Sequence, residues 1–154
     1  MKTHVYVDAD SCPVKDEVYK VVKRHGLEVT LVSNRWFRTP AWPWLHMEVV
    51  PDSGDLDAAD DWIVEHVAAL DVVITEDILL AQRCIEKQAR VLTPRGHEYS
   101  PVNIGEAVAS RELLANLREA GHEVGGPSSF DKKDRSAFLQ ELEELLRRIE
   151  RERA

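Results

Sequence analysis

Short apolar runs alternate along the chain with segments whose apolar residues recur at helical spacing, and this alternation constrains the fold most. The first run, His4 to Val7, is rich in β-branched and aromatic residues, which is typical of a buried strand. The amphipathic segment that follows is predicted to be a helix, with Cys12 as its N-cap and Pro13 as its first residue. Gly26 is predicted to end this helix. Repeated units of this kind predict an α/β fold with a mainly parallel central sheet.

The same two patterns divide the rest of the chain. They predict further strands over 27–33, 45–50, 72–75 and 88–93, and further helices over 55–67, 103–120 and about 131–152. Another predicted helix carries Leu79, Leu80, Cys84 and Ile85. A length of 154 residues suits one domain, so we expect residues 1–154 to form a single three-layer α/β sandwich with additional C-terminal helices. The intervening segment 34–44 holds two prolines and three of the four tryptophans and is predicted to be a loop.

Composition narrows the class of protein. No apolar run approaches the ~20 residues that cross a bilayer, and no signal-peptide hydrophobic region opens the chain, so we expect no membrane contact and a cytoplasmic location. The two cysteines, Cys12 and Cys84, are predicted to be free thiols. A net charge of −8 argues against a protein that coats nucleic acid by charge alone, but a nuclease built on carboxylates remains compatible with it.

Carboxylates follow two of the predicted strands. Asp8 and Asp10 come at the end of the first strand, and Asp77 follows the run that ends at Thr75. Ligands of open α/β sheets bind beyond the carboxyl ends of the strands, so these acids would share a crevice if the two strands are neighbours. The alternative is that they only cap the helices that follow.

A third set of acids opens the helix predicted over 55–67. Four acids between 55 and 61 exceed what a cap requires, and Asp57 and Asp60 repel each other on one face. With Asp8, Asp10 and Asp77 they would form an oxygen-rich pocket suited to Mg²⁺ or Mn²⁺. Such a pocket suits metal-assisted displacement at phosphorus.

Basic and aromatic side chains supply candidate contacts for a nucleic acid. Arg35 and Arg38 alternate with aromatic residues in loop 34–44, and such pairs can stack on bases and contact phosphates. Lys15, on the first helical turn after Asp8 and Asp10, could contact phosphate or lie on a solvated helix face. Arg95, in a predicted turn, could hold the substrate or form a surface salt bridge. The alternative for the loop is that its aromatic residues pack on the sheet or on a partner subunit in a homodimer.

Six ordered motifs resemble the YaiI/YqxD family of bacterial proteins. They are VDADSCPVK at 7–15, DLDAAD at 55–60, VITEDILLA at 73–81, PRGHEY at 94–99, NI at 103–104 and GGP at 125–127. The match covers nearly the whole chain, and the motifs are specific when taken together. The family resembles a branch of the PIN-like nucleases, which implies hydrolysis of RNA or DNA phosphodiesters with a divalent metal.

The resemblance also implies roles for particular residues. The PIN-like acids correspond to Asp8, to Asp57 or Asp60, and to Asp77, so Asp8, Asp57, Asp60 and Asp77 are the predicted catalytic residues. The fourth acid is left open between Asp60, Asp61 and Asp134. The implied cofactor is Mg²⁺ or Mn²⁺, and the implied partner is a nucleic acid, with RNA favoured over DNA.

Two other functions fit parts of the same pattern. Asp8 and Asp10 after an apolar strand imitate the nucleophile and acid of haloacid-dehalogenase-like phosphatases, with Asp8 as the nucleophile. The chain could also be a non-catalytic RNA-binding or ribosome-associated module that keeps the fold without turnover.

Overall fold

The computed structural model describes residues 2–52, 57–126 and 128–154. Within these ranges the chain forms six strands and five helices. In chain order they are β1 (His4–Asp8), α1 (Lys15–His25), β2 (Glu28–Ser33), β3 (Leu45–Val49), α2 (Ala58–His66), β4 (Val72–Ile74), α3 (Ile78–Glu86), β5 (Arg90–Leu92), β6 (Glu98–Tyr99), α4 (Ile104–Glu119) and α5 (Lys132–Arg153). No helix in the described ranges is long and apolar enough to cross a membrane.

All six strands belong to one sheet in the order β3-β2-β1-β4-β5-β6. Five of them run parallel, and β6 pairs antiparallel with β5 through Val91 opposite Tyr99. The predicted α/β class with a mainly parallel sheet is confirmed. The order places β1 in the middle, where β2 lies on one side and β4 on the other. Ligands of such sheets bind at this reversal of strand order.

Helices cover both faces of the sheet because its inner strands are apolar on both sides. In β1, Val5 and Val7 pack with α1 and α5 on one face, while Tyr6 packs with α2 and α3 on the other. The parallel inner strands are therefore buried on both faces, as their continuous apolar runs predict. Loop 34–44 has no regular secondary structure, as predicted.

The predicted start of the first helix is wrong. A single 3-10 turn, Ala9–Ser11, follows β1, and α1 begins only at Lys15 with Val14 at its N-cap. Cys12 is extended, the conformation favoured for a residue before proline, and its side chain is buried. The predicted end is correct, since Gly26 adopts a left-handed conformation and its N–H bonds to the last turn of α1.

Other predicted boundaries also shift. The fifth strand is shorter than 88–93 because Gln88 has a positive φ of 65°, which interrupts an extended strand. The two-residue strand β6 falls in a segment whose sequence signals only a turn. Helix α2 is described from Ala58, and the predicted start at Asp55 lies outside the described residues, as does Pro127 of the GGP motif.

Candidate carboxylate site

The carboxyl ends of β1 and β4 bring the first two sets of acids together. Val7 of β1 pairs with Ile74 of β4, so Asp8 and the segment after β4 lie side by side. The Thr75 hydroxyl donates a hydrogen bond of 2.8 Å to Asp8 Oδ2 and accepts one of 2.9 Å from the Asp77 backbone N–H. The two strand ends are therefore tied directly to each other.

The Asp8 carboxylate is largely removed from water. Burial is the main cause that raises the pKa of Asp8 above its usual range, and the charges of Asp77 and Asp10 raise it further. The hydrogen bond from Thr75 opposes this shift because it favours the ionised form. Asp8 stands at the N-terminus of the 3-10 turn, yet its side chain makes no capping hydrogen bond there.

Asp60 is the most perturbed carboxyl group of the site. Burial against the sheet, followed by the charges of Asp8, Asp77 and Asp57, raises the pKa of Asp60 to about 7. A side-chain hydrogen bond with Asp77 stabilises its protonated form. Asp60 on α2 therefore interacts electrostatically with Asp8 and Asp77 at the two strand ends. Asp57, whose charge also acts on Asp60, is the fourth predicted residue of the site.

Two further acids, Asp61 and Asp134, do not belong to this group because each has a different partner. Asp61, the next residue on α2, forms an ion pair of 2.8 Å with Arg83 of α3. Asp134 lies far along the chain in a capping box at the start of α5 and pairs with Arg95 at 3.2 Å. Of the three acids left open by the sequence, only Asp60 faces Asp8 and Asp77.

Asp77 and Asp10 each hold part of the backbone as well. Asp77 is the N-cap of α3: its Oδ1 accepts from the Leu79 and Leu80 N–H groups at 2.9 and 3.2 Å. Asp10 accepts from the Ser33 hydroxyl at 2.6 Å and from the Asn34 N–H at 3.0 Å. Asp10 therefore anchors the start of loop 34–44 beside the carboxylate site.

Asp57 differs from Asp77 at the corresponding position of its helix. It occupies the N-cap of α2, where its backbone carbonyl accepts from the Asp61 N–H at 2.8 Å, but its side chain forms no cap hydrogen bond. Among Asp8, Asp57, Asp60 and Asp77, only the Asp77 side chain caps a helix.

The donor set fits a hard divalent cation in its chemistry. Asp8, Asp57, Asp60 and Asp77 offer only oxygen atoms, which Mg²⁺ and Mn²⁺ prefer over softer ligands. Across residues 2–52, 57–126 and 128–154, no three His, Cys, Asp or Glu side chains stand in position to hold a metal ion. A cation at this site would therefore require the carboxylates to turn toward it.

Comparison with known proteins settles the family. Residues 6–148 match the family model described as "Uncharacterized BCR, YaiI/YqxD family". The chain belongs to the YaiI/YqxD family. The predicted family resemblance is confirmed, and its relationship to PIN-like nucleases stays a prediction.

Relatives in this family carry the name UPF0178 protein. One from Rhodopseudomonas palustris strain BisB5 is 48% identical over 152 residues, which is 99% of this chain and 92% of the relative. One from Nitrobacter winogradskyi is 46% identical over 147 residues, 96% of this chain and 92% of the relative. No solved structure matches the chain significantly.

The basic residues predicted to contact substrate have different environments in this YaiI/YqxD chain. Lys15 donates to the Cys12 carbonyl at 3.0 Å and lies 5.3 Å from the centre of the Phe37 ring. Arg35 and Arg38 are exposed, and their guanidinium groups form no ion pair with any part of the chain that the structure describes. Arg95 is half-buried and binds Ser128 in the segment before α5 and Asp134 in the first turn of α5.

Sequence reasoning missed a cluster of aromatic rings at the far end of loop 34–44. Trp42 and Trp44 stack on each other with ring centroids 5.0 Å apart, and both make edge-to-face contacts with Tyr19 on α1. The available signal was the spacing of the two tryptophans around a proline. The interpretation that the aromatic residues of the loop pack on the rest of the chain holds in part: Trp44 and Phe37 pack on the core, while Trp36 and Trp42 are exposed.

Proposed function

We propose that this chain is a divalent-metal-dependent nuclease with a PIN-like three-layer architecture, which hydrolyses phosphodiesters of RNA in preference to DNA in the cytoplasm. The observation that carries the proposal is the meeting of the strand ends of β1 and β4, where Thr75 ties Asp8 to Asp77 and where burial and the charges of Asp8, Asp77 and Asp57 raise the pKa of Asp60 to about 7. Carboxylates that repel one another in this way gain stability when they share a cation. Capping does not explain the group, because only Asp77 uses its side chain as a cap.

The proposed mechanism assigns a task to each side chain. Asp8, Asp57, Asp60 and Asp77 would hold Mg²⁺ or Mn²⁺. When bound, such a cation makes water nucleophilic at neutral pH and neutralises charge on the leaving oxygen. The Thr75 hydroxyl fixes Asp8 through its 2.8 Å hydrogen bond. Without a cation, Asp60 takes up a proton near neutral pH, and a bound cation would favour the ionised form of Asp60 that can act as a ligand.

Thermal unfolding with and without Mn²⁺ tests the cation site. We expect about 1 mM Mn²⁺ to stabilise the wild type by roughly 3 kcal/mol if this concentration is about 100 times Kd, which raises Tm by about 6–12 °C. Asp8→Asn and Asp60→Asn should gain much less. Asp61→Asn is the matched control and should gain as much as the wild type, because Asp61 pairs with Arg83 outside the site.

Hydrolysis of a labelled single-stranded RNA then tests the activity. Cleavage should require Mn²⁺ or Mg²⁺, disappear with EDTA and be lost in Asp8→Asn but not in Asp61→Asn. A wild type that neither gains stability with Mn²⁺ nor cleaves RNA or DNA would contradict the proposal. RNA binding without EDTA sensitivity would then favour the non-catalytic module, and a covalent phosphate adduct on Asp8 would favour the phosphatase.

A further inference from the structure

Loop 34–44 connects the carboxylate site to a second surface along α1. The loop starts at Asn34, whose N–H is held by Asp10, and it passes Phe37 beneath the Lys15 ammonium. It then places Trp42 and Trp44 against Tyr19, one helical turn farther along α1. Four residues of helix from Lys15 to Tyr19 span about 6 Å, so the aromatic cluster lies one helical turn beyond the contact between Lys15 and Phe37.

The aromatic cluster is one wall of a groove. Trp44 packs on the core and supports Trp42, which stacks on it at an interplanar angle of 20° and remains 43% exposed. The groove has a volume of about 350 Å³ and is lined by Asp16, Tyr19, Lys20, Lys23, Trp42 and Trp44. The Trp42 ring is therefore held in place before a ligand binds, so binding to it costs little conformational entropy.

The charge of the groove is positive, although that of the whole chain is −8. Lys20 and Lys23 line it together with a single acid, Asp16, which lies on the same helix. Neither ammonium group forms an ion pair with the residues described in this structure, so both are available to an anion. An exposed ring flanked by two cations suits a planar group that carries phosphate, and suits a proline-rich peptide less well.

We propose that Trp42 and its neighbours form a subsite for single-stranded nucleic acid, in which an unpaired base stacks on Trp42 while Lys20 and Lys23 bind the adjoining phosphates. This inference rests on the proposed function, which supplies the class of ligand, a nucleic acid. It adds the requirement that the bound strand be unpaired. In a duplex both faces of each base are already stacked, so a duplex cannot use Trp42 in this way. The strand would then run beside α1 toward the carboxylates.

Fluorescence anisotropy with a labelled oligouridylate of about 12 nucleotides tests the subsite, and it is done in EDTA so that no cation contributes. We expect Trp42→Ala to weaken binding about tenfold, and Trp42→Phe to retain most of the affinity. Lys20→Glu should weaken binding and also lower its dependence on salt. Arg118→Glu is the matched control for charge, because Arg118 lies on α4 at the opposite face of the sheet. A duplex of the same length should bind more weakly than the single strand.

The outcomes separate this proposal from the nuclease proposal. Asp8→Asn should bind the oligouridylate in EDTA at least as well as the wild type, because it removes a negative charge. If Trp42→Ala and Lys20→Glu both bind like the wild type, or if only a proline-rich peptide binds, the subsite is overturned whatever Mn²⁺ does to Tm. If the subsite binds as expected while Mn²⁺ has no effect, the subsite stands and the nuclease proposal fails. The Lys20 variant guards against loss of folding in Trp42→Ala, since Lys20 is exposed.

Discussion

Adjacent acids on α2 have opposite roles because one residue turns a helix by about 100°. Asp60 faces the ends of β1 and β4, where burial and three carboxylates act on it. Asp61 faces α3 and forms an ion pair with Arg83, in which both side chains are about 40% exposed. Such an exposed pair contributes little stability, about 0–1 kcal/mol. The two residues therefore provide a natural comparison between a strained carboxyl group and a satisfied one.

The pKa of Asp60 makes stability depend on pH in a definite direction. The usual value is 3.8 and the folded value is about 7, so the folded protein holds a proton that the unfolded chain releases. The stability that this proton confers is fully present below about pH 4 and is lost as pH rises through about 7. In EDTA we expect Asp60→Asn to lose less Tm than the wild type between about pH 5 and 8, and to have the higher Tm at about pH 8.

Asp61→Asn serves as the control for that comparison. It should keep the pH dependence of the wild type, because it leaves Asp60 and its neighbours intact. Parallel curves of Tm against pH for the wild type and Asp60→Asn would show that the carboxylates do not act on Asp60 in the folded protein.

The turn between β5 and β6 packs closely against α5. Gly96 has φ of +86°, and a Cβ at this position would lie 2.9 Å from the backbone carbon and oxygen of Ala137. Arg95, beside it, binds Asp134 and the segment that precedes α5. The β5–β6 turn therefore fixes the start of α5 through both backbone contact and an ion pair.

Gly96→Ala should destabilise the protein more than Gly26→Ala. Both glycines have positive φ, which costs an alanine about 1–2 kcal/mol, but nothing lies within 4 Å of a Cβ at Gly26. At Gly96 the contact with backbone atoms of α5 adds to that cost, since α5 must move away. Chemical denaturation should give a free energy of unfolding that is lower for Gly96→Ala than for Gly26→Ala by roughly 1–3 kcal/mol. Equal losses would mean that the turn and α5 adjust without strain.

The spacing of apolar residues predicts most of the helices and strands but not the direction in which each side chain points. The strands from β1 to β5 and all five helices follow from apolar spacing, and the position of Asp8 and Asp77 follows from strand ends that prove to be neighbours. The two-residue β6 depends on pairing with β5, which no local pattern encodes. The choice of Asp60 over Asp61 depends on the rotation of α2 against the sheet, which only tertiary packing sets.

Helix α5 completes the molecule by covering one face of the sheet beside α1. Its apolar stripe is fully buried, as the sequence spacing predicts, and includes Phe138, Leu142, Leu145, Leu146 and Ile149. Near its C-terminal end, the Arg153 guanidinium donates to the Thr3 hydroxyl at 3.0 Å. By contrast, α4 packs mainly on α3, and its Leu113 is 59% exposed.

Two leucine substitutions should therefore have very different effects on global stability. Leu142→Ala removes a side chain with no exposed surface and should lower the free energy of unfolding by about 3 kcal/mol, with a fall in Tm of roughly 6–12 °C. Leu113→Ala removes a mostly exposed side chain from α4 and should change stability by less than about 0.5 kcal/mol. Thermal unfolding of both variants measures the difference. If Leu142→Ala lost little stability, or if only part of the protein unfolded at the lower temperature, α5 would be an appendage and not part of the core.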